Sequence, residues 1–345
     1  MSGTLASLAL DCAAELLPPA AADLRYRGVS TDTRTLRPGE VFIALRGPRF
    51  DGADFVAAAE RAGAAAAVVT RDAATALRSS GCALPLLLVP DTHAALMHAA
   101  AAHRARFRGT VIAVAGSNGK TTVKEMIAAI LRESAPTLAT AGNLNNQIGV
   151  PLTLLRLDPQ QRFAVVEIGA NHPGEVATLA RLVRPQVGIV TNAGAEHLEG
   201  FGSLEGAARA EGELFAVLDR TGTAIINADD PFASLWASLA AGCRVLRFGC
   251  APQADVRAMQ IVCGIEADGF VARFTLSAPA GTVAVELRLA GRHNVVNAAG
   301  AAAAALAAGA TLEQVRTGLA RMRAVAGRLQ FKRARGGAWL IDDSY

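Results

Sequence analysis

From Thr110 onward, short apolar runs alternate with helical stretches: Thr110–Ala115, Phe163–Ile168, Val187–Val190 and Thr223–Ile226 each read as a strand followed by a helix. Such alternation predicts an α/β unit built on a mainly parallel sheet with helices on both faces. Upstream, Val41–Leu45, Ala65–Val69 and Leu86–Val89 are strand-like, separated by Gly, Pro and Asp turns and an alanine-rich helical stretch, which predicts a smaller α/β domain. The helical segment 91–108 ends in the basic connector Arg104–Gly109, where the first boundary is placed. Between Asp255 and Ala290 apolar and polar residues alternate, as at Val271, Phe274 and Val283–Leu289, predicting an antiparallel appendage. Helices about Asn294–Ala308 and Thr311–Met322 follow. After Gly327 the composition shifts, and a strand at Ala338–Ile341 opens what reads as a third α/β domain cut short. The expected domains are therefore 1–108, 109–326 and the beginning of another at 327–345.

Composition narrows this picture. A length of 345 residues suits two domains and part of a third. Hydrophobic residues reach 52%, much of it alanine, with only 5% aromatic, so the chain reads as soluble and globular. The first residues lack the basic start of a secretory signal, and Asp11 interrupts them. The longest apolar stretch, Val295–Ala310, is mostly Ala and Gly and no candidate to span a membrane. Five scattered cysteines, an odd count without metal-type spacing, fit buried thiols in a reducing, cytoplasmic setting. The net charge of +4 is spread without a basic run, which argues for a phosphorylated small substrate over nucleic acid.

The sharpest local signal is the apolar strand through Ala115 running into Gly116-Ser117-Asn118-Gly119-Lys120-Thr121-Thr122. Val123, Met126, Ile127, Ile130 and Leu131 then follow helical spacing. In a strand, loop, helix context, glycines let backbone N–H groups face phosphate oxygens while the helix N-terminus adds its dipole. Lys120 is expected on the β and γ phosphates and Thr121 on Mg²⁺. Val114 stands where the general phosphate-loop pattern has its first glycine, so that pattern is only partly matched.

Glu167 ends an apolar strand, the place where ligands gather in open parallel sheets, and is a candidate metal ligand. His197 lies just past the Val187–Val190 strand and is a second. On the helix Leu204–Leu218, Glu211 sits in the middle of an apolar face made by Leu204, Ala207, Ala208, Leu214, Phe215 and Leu218. A carboxylate so placed needs a partner, expected to be a metal or an arginine.

These residues together resemble the Mur ligases. The resemblance rests on Gly116–Met126, Gly142–Pro151, Glu167–Glu175 and His197–Ser203, with Gly291–Ala298, Gly327–Gln330 and Asp342–Tyr345 near the end. In the first domain Ser30–Arg34, Gly39, Phe42, Ala44–Gly47 and Asp51–Gly52 look like the family's UDP-binding elements. The resemblance implies an ATP- and Mg²⁺-dependent ligase that activates the terminal carboxylate of a UDP-muramyl-tripeptide as an acyl phosphate. The amine of D-Ala-D-Ala then displaces phosphate.

It further implies ATP contacts at Gly116 to Thr122 and at His293, Asn294 and Asn297. UDP-substrate contacts are implied at Ser30, Asp32, Arg34, Leu45, Gly47, Asp51, Asn143 and Asn146. The metal would lie on Thr121, Glu167 and His197, and the catalytic groups would be Lys120, Glu167, His197 and Glu211. No membrane insertion and a monomer are expected.

Many family members carry a carbamylated lysine where this chain has Glu211, so Glu211 is expected to replace the carbamate. A chain lacking most of the third domain is expected to ligate weakly or not at all. The nearest alternative is the sister ligase that adds a diamino acid to the dipeptide; a nucleotide-switch module needs neither the second metal ligands nor a UDP pocket.

Overall fold

Runs such as Val-Ile-Ala-Val-Ala and Ala-Val-Val, closed by Gly or Asp, form strands because they can be buried on both faces between helices. In the computed structural model they assemble into a nine-stranded and a five-stranded sheet. The described residues are 1–195, 198–266, 269–325, 327–335 and 338–344. The chain forms two compact units, Met1–Arg108 with Gln147–Pro159, and Gly109–Asn146 with Gln160–Tyr345.

The first unit carries strands in the order Glu15–Leu17, Leu86–Val89, Ala66–Thr70, Val41–Ile43, Val29–Ser30, parallel except for the first pair. The short helix Gly149–Leu154 packs on the helix Thr92–Arg106, which explains why residues 147–159 belong to this unit despite their later place in the chain. His103 bonds the Leu157 carbonyl through Nε2 at 2.8 Å and secures that junction.

The second unit holds the larger sheet. Its order is Gly281–Leu287, Gly269–Ala278, Val256–Glu266, Arg244–Gly249, Thr223–Asn227, Val187–Val190, Thr110–Ala115, Phe163–Glu167, Thr137–Ala139. Strands are parallel from Thr137–Ala139 to Val256–Glu266, and the last two run antiparallel. The predicted antiparallel appendage is thus no separate piece. It extends the parallel sheet through the pairing of Phe248 with Val256.

Helices cover both faces. Lys120–Arg132, Arg292–Ala307 and Leu312–Arg321 pack together on one face; Glu175–Val183, Leu204–Val217 and Ala233–Leu239 pack together on the other. The period of two along Val187–Val190 shows this division. A Cβ on Gly188 would lie 3.1 Å from Leu214, whereas Ile189 approaches Gly300 of the opposite layer. Glycine and alanine bring helix Arg292–Ala307 close to the sheet, since a Cβ on Gly300 would sit 2.8 Å from the Phe248 ring.

Three readings need correction. Leu204, expected on the buried face of its helix, is exposed at the first turn, where the chain has only just left its Ser203 cap. The cysteines are not all buried: Cys12 is, with its thiol pushed up to about 12 by burial and the Asp11 charge, but Cys263 is exposed near the solvated end of its strand. The strand expected at Ala338–Ile341 runs Trp339–Asp342 and pairs with Gln330–Arg333, a strand that periodicity did not reveal.

Candidate active site

The phosphate loop leaves the buried strand Thr110–Ala115 through Gly116, whose φ of +121° and close approach to Thr191 exclude any side chain. A Cβ there would lie 2.2 Å from Thr191 Oγ1. Gly119, at φ +82°, starts the helix Lys120–Arg132. The loop is fixed from the neighbouring strand end: Asn118 N donates to Asn192 Oδ1 (3.0 Å), Thr191 Oγ1 to Asn118 O (2.7 Å), Ser117 N to Asn192 O (2.9 Å) and Gly194 N to Ser117 Oγ (2.8 Å). Lys120 folds over it, donating from Nζ to the carbonyls of Gly116 (2.5 Å) and Ser117 (2.7 Å). Thr122 is half-buried in the first helical turn.

Beside the loop, Thr121 and Glu167 meet, with Thr121 Oγ1 donating to Glu167 Oε1 at 3.2 Å. Glu167 is 1% exposed, and Asn145 Nδ2 also donates to its Oε1 at 2.8 Å. Its Oε2 is buried with no hydrogen-bond partner. An unsatisfied buried carboxylate oxygen is costly, and a divalent cation would remove that cost. A hydroxyl and one carboxylate suit Mg²⁺, which keeps several waters and takes its other ligands from substrate phosphates. Among the described residues no three acidic, His or Cys side chains cluster, so no all-protein cage is formed there.

Glu211 is buried in its helix at 3% exposure, and its Oε2 accepts the Gly116 N–H at 2.7 Å. The partner found is therefore the first amide of the phosphate loop. His197 lies outside the described residues.

The start of helix Arg292–Ala307 reaches the same loop. A Cβ on Gly119 would stand 2.9 Å from Asn297 Oδ1, and Asn297 Nδ2 donates to Asn294 Oδ1 at 3.1 Å. Asn294 in turn donates to the Ala290 carbonyl at 2.8 Å and contacts His293 Nε2 at 3.1 Å. Arg328, from the segment that opens the expected third domain, reaches Thr121 Oγ1 at 3.5 Å. Asn297 is thereby brought to the loop, with Asn294 bonded to it and His293 to Asn294; Asn143 and Asn146 belong to the same unit.

The remaining candidates lie in the first unit. Asp32 and Arg34 bind each other (2.6 Å), and the guanidinium hydrogen bonds hold the Asp32 carboxyl below its usual range. Ser30 Oγ donates to the Asp32 carbonyl at 3.0 Å. A second turn is closed by Arg46–Asp51 at 3.1 Å and by Gly47 N on Phe50 O at 2.9 Å. Gly52 lies so close to the backbone of Ala44 and Leu45, 2.5 Å for a Cβ, that no other residue fits.

Sequence reasoning missed Lys124, Thr140, Asn145, Thr191 and Asn192. For Lys124 the signal was present. It falls at i, i+3, i+4 and i+7 with Ile127, Ala128 and Leu131 on the apolar face, the same anomaly that singled out Glu211.

The "Mur ligase middle domain" model matches residues 114–305, and the "Mur ligase family, catalytic domain" model matches residues 25–104. The UDP-N-acetylmuramoyl-tripeptide--D-alanyl-D-alanine ligase of Escherichia coli (strain K12) is 46% identical over 94% of this chain and 70% of its own length. A crystal structure of MurF from Acinetobacter baumannii superposes with a TM-score of 0.90 at 35% identity, over all of this chain and 73% of that one. A MurF ligase from Thermotoga maritima, solved in complex with ADP, gives 0.77 at 27% identity over 92% and 71%.

Proposed function

We infer that this chain, which belongs to the Mur ligase family, joins D-alanyl-D-alanine to a UDP-N-acetylmuramoyl-tripeptide in an ATP-dependent, ADP-forming amide ligation of peptidoglycan precursor synthesis. One observation carries the reading at the site: a braced phosphate loop set against a buried carboxylate whose Oε2 has no donor. That arrangement suits transfer of the γ-phosphate to a carboxylate, where the protein's task is to neutralise and place phosphate oxygens.

In this reading Lys120 leaves the Gly116 and Ser117 carbonyls for the β and γ phosphates, which exchanges one set of acceptors for another of greater charge. Amides of the loop and the first turn of helix Lys120–Arg132 receive the phosphates at a helix N-terminus. Thr121, Glu167 and His197 would hold Mg²⁺, which when bound would lower the charge barrier to attack on the γ-phosphate. Glu211 fixes the entrance of the loop through Gly116 and supplies, without CO₂, the anion that many relatives obtain from a carbamylated lysine. Asn297 borders the loop, and with Asn294 and His293 linked behind it would receive the nucleoside end of ATP.

The Ser30–Arg34 and Arg46–Gly52 turns take the UDP moiety, with Leu45, Gly47 and Asp51 among the contacts, and Asn143 and Asn146 are assigned to the same UDP-muramyl substrate. A UDP-substrate domain runs to residue 108, with residues 147–159 packed into it, a nucleotide domain takes the rest to 326, and a third opens beyond it. The protein works as a monomer in the cytoplasm, a setting that suits UDP- and ATP-linked substrates and five unpaired cysteines.

The test is Mg²⁺-dependent ADP release by the full-length protein. Release that requires both UDP-muramyl-tripeptide and D-Ala-D-Ala supports the reading. Release only with UDP-muramyl-dipeptide and a diamino acid moves it to the sister ligase.

A further inference from the structure

Lys124 is fully buried, unlike Lys120 one turn earlier on the same helix. A buried ammonium needs partners for all three protons. Nζ meets the Thr140 carbonyl at 2.7 Å, the Gly142 carbonyl at 3.3 Å and Glu125 Oε1 at 2.9 Å. Glu167 Oε2 stands at 3.9 Å, beyond hydrogen-bond reach, and keeps no donor.

The segment that Lys124 grips in turn grips Glu167. Thr140 Oγ1 accepts from Glu167 N at 3.0 Å, and Thr140 N donates to Val165 O at 3.0 Å. Asn145 Nδ2 donates to Glu167 Oε1 at 2.8 Å, and Asn145 O accepts from Gly169 N at 2.8 Å. Residues 140–145 thus form a strap across the carboxylate with one end fastened by Lys124. Oε1 is occupied by Asn145 and Thr121, and Oε2 is left without a hydrogen-bond donor, with the Lys124 ammonium held 3.9 Å away by its other partners.

We propose that Lys124 is a positioning residue that, by holding the 140–145 strap, orients Glu167 so that Oε2 is reserved for the divalent cation. This rests on the reading that Glu167 binds that cation. Lys124 touches neither nucleotide nor metal; its effect passes through Thr140 and Asn145. As a positive charge near a cation site, an ammonium acting only by Coulomb repulsion would weaken metal binding. The strap role has the opposite sign, which makes the two separable.

The experiment measures Mn²⁺ affinity by electron paramagnetic resonance with a non-hydrolysable ATP analogue bound to the chain, and nucleotide affinity without metal by calorimetry. Lys124→Met is expected to weaken Mn²⁺ about tenfold, the usual scale for loss of an outer-sphere partner, while metal-free nucleotide affinity stays within about twofold. Lys124→Met and Asn145→Ala are expected to be non-additive, because both act through one strap. Unchanged or tighter Mn²⁺ binding, or simple additivity, overturns the proposal. Thr140→Val, nearly isosteric, removes the bond to Glu167 N and is expected to weaken Mn²⁺ in the same direction should Lys124→Met not fold; no effect there overturns it too. Glu167→Gln separates the levels. If it weakens Mn²⁺ and Lys124→Met does not, only the strap fails; if Glu167→Gln has no effect, the metal assignment and the strap fall together.

Discussion

The strand ends of the central sheet and the turns of the first unit were both expected to bind phosphate-bearing groups, yet they are built differently. Thr121, Lys124, Glu167 and Glu211 are buried, and their bonds run to backbone or to one another across long sequence separations. Arg34, by contrast, has a side chain 86% exposed and answers to a residue two positions away. One region is organised before any ligand arrives. The other must trade a local ion pair for a ligand contact, and such exposed pairs contribute little to stability.

Substitutions can break this contrast. Lys120→Ala is expected to lower the rate of ADP release about a thousandfold, since it deletes a preorganised charge on the transferring group, with little change in melting temperature. Gly116→Ala tests preorganisation itself: its clash with Thr191 and positive φ predict a loss of roughly 3 kcal/mol in denaturant unfolding. Glu211→Ala leaves the Gly116 N–H buried without its acceptor, costing about 1–3 kcal/mol and most of the activity. Added bicarbonate should restore none of it, and a rise in wild-type turnover with bicarbonate would contradict the role of Glu211.

Arg34→Ala sharpens the other side. Its melting temperature should fall only slightly, an exposed ion pair being worth under about 1 kcal/mol, while KM for the UDP-substrate rises about tenfold. The pH dependence has a definite sign. The depressed Asp32 carboxyl contributes stability above the usual carboxylate range and loses it as pH falls through its lowered native value. Melting curves of Asp32→Asn and wild type should therefore converge in acid.

Much of the fold could be read because its strands are buried on both sides and announce themselves as uniform apolar runs; Thr110–Ala115, Val187–Val190 and Leu86–Val89 match their predicted limits residue for residue. Continuity of the antiparallel strands with that sheet could not, because pairing at Phe248 and Val256 is a nonlocal choice with no periodicity of its own. The helix Gly149–Leu154 is too short to carry a period, and its attachment to the first unit is likewise nonlocal. At the site, residue types with obvious chemistry were legible. Asn145 and Thr140 were not, since a neutral side chain becomes significant only when the fold sets it beside Glu167.

The helix Arg292–Ala307 has one further consequence. From Ala298 to Ala305 every position is Ala or Gly and buried, so this layer locks into place with almost no loss of side-chain rotational freedom. It also has nothing to loosen one rotamer at a time. Its amides should exchange with solvent only when the whole unit opens, which puts the stretch that starts beside the phosphate loop among the last parts of its unit to loosen.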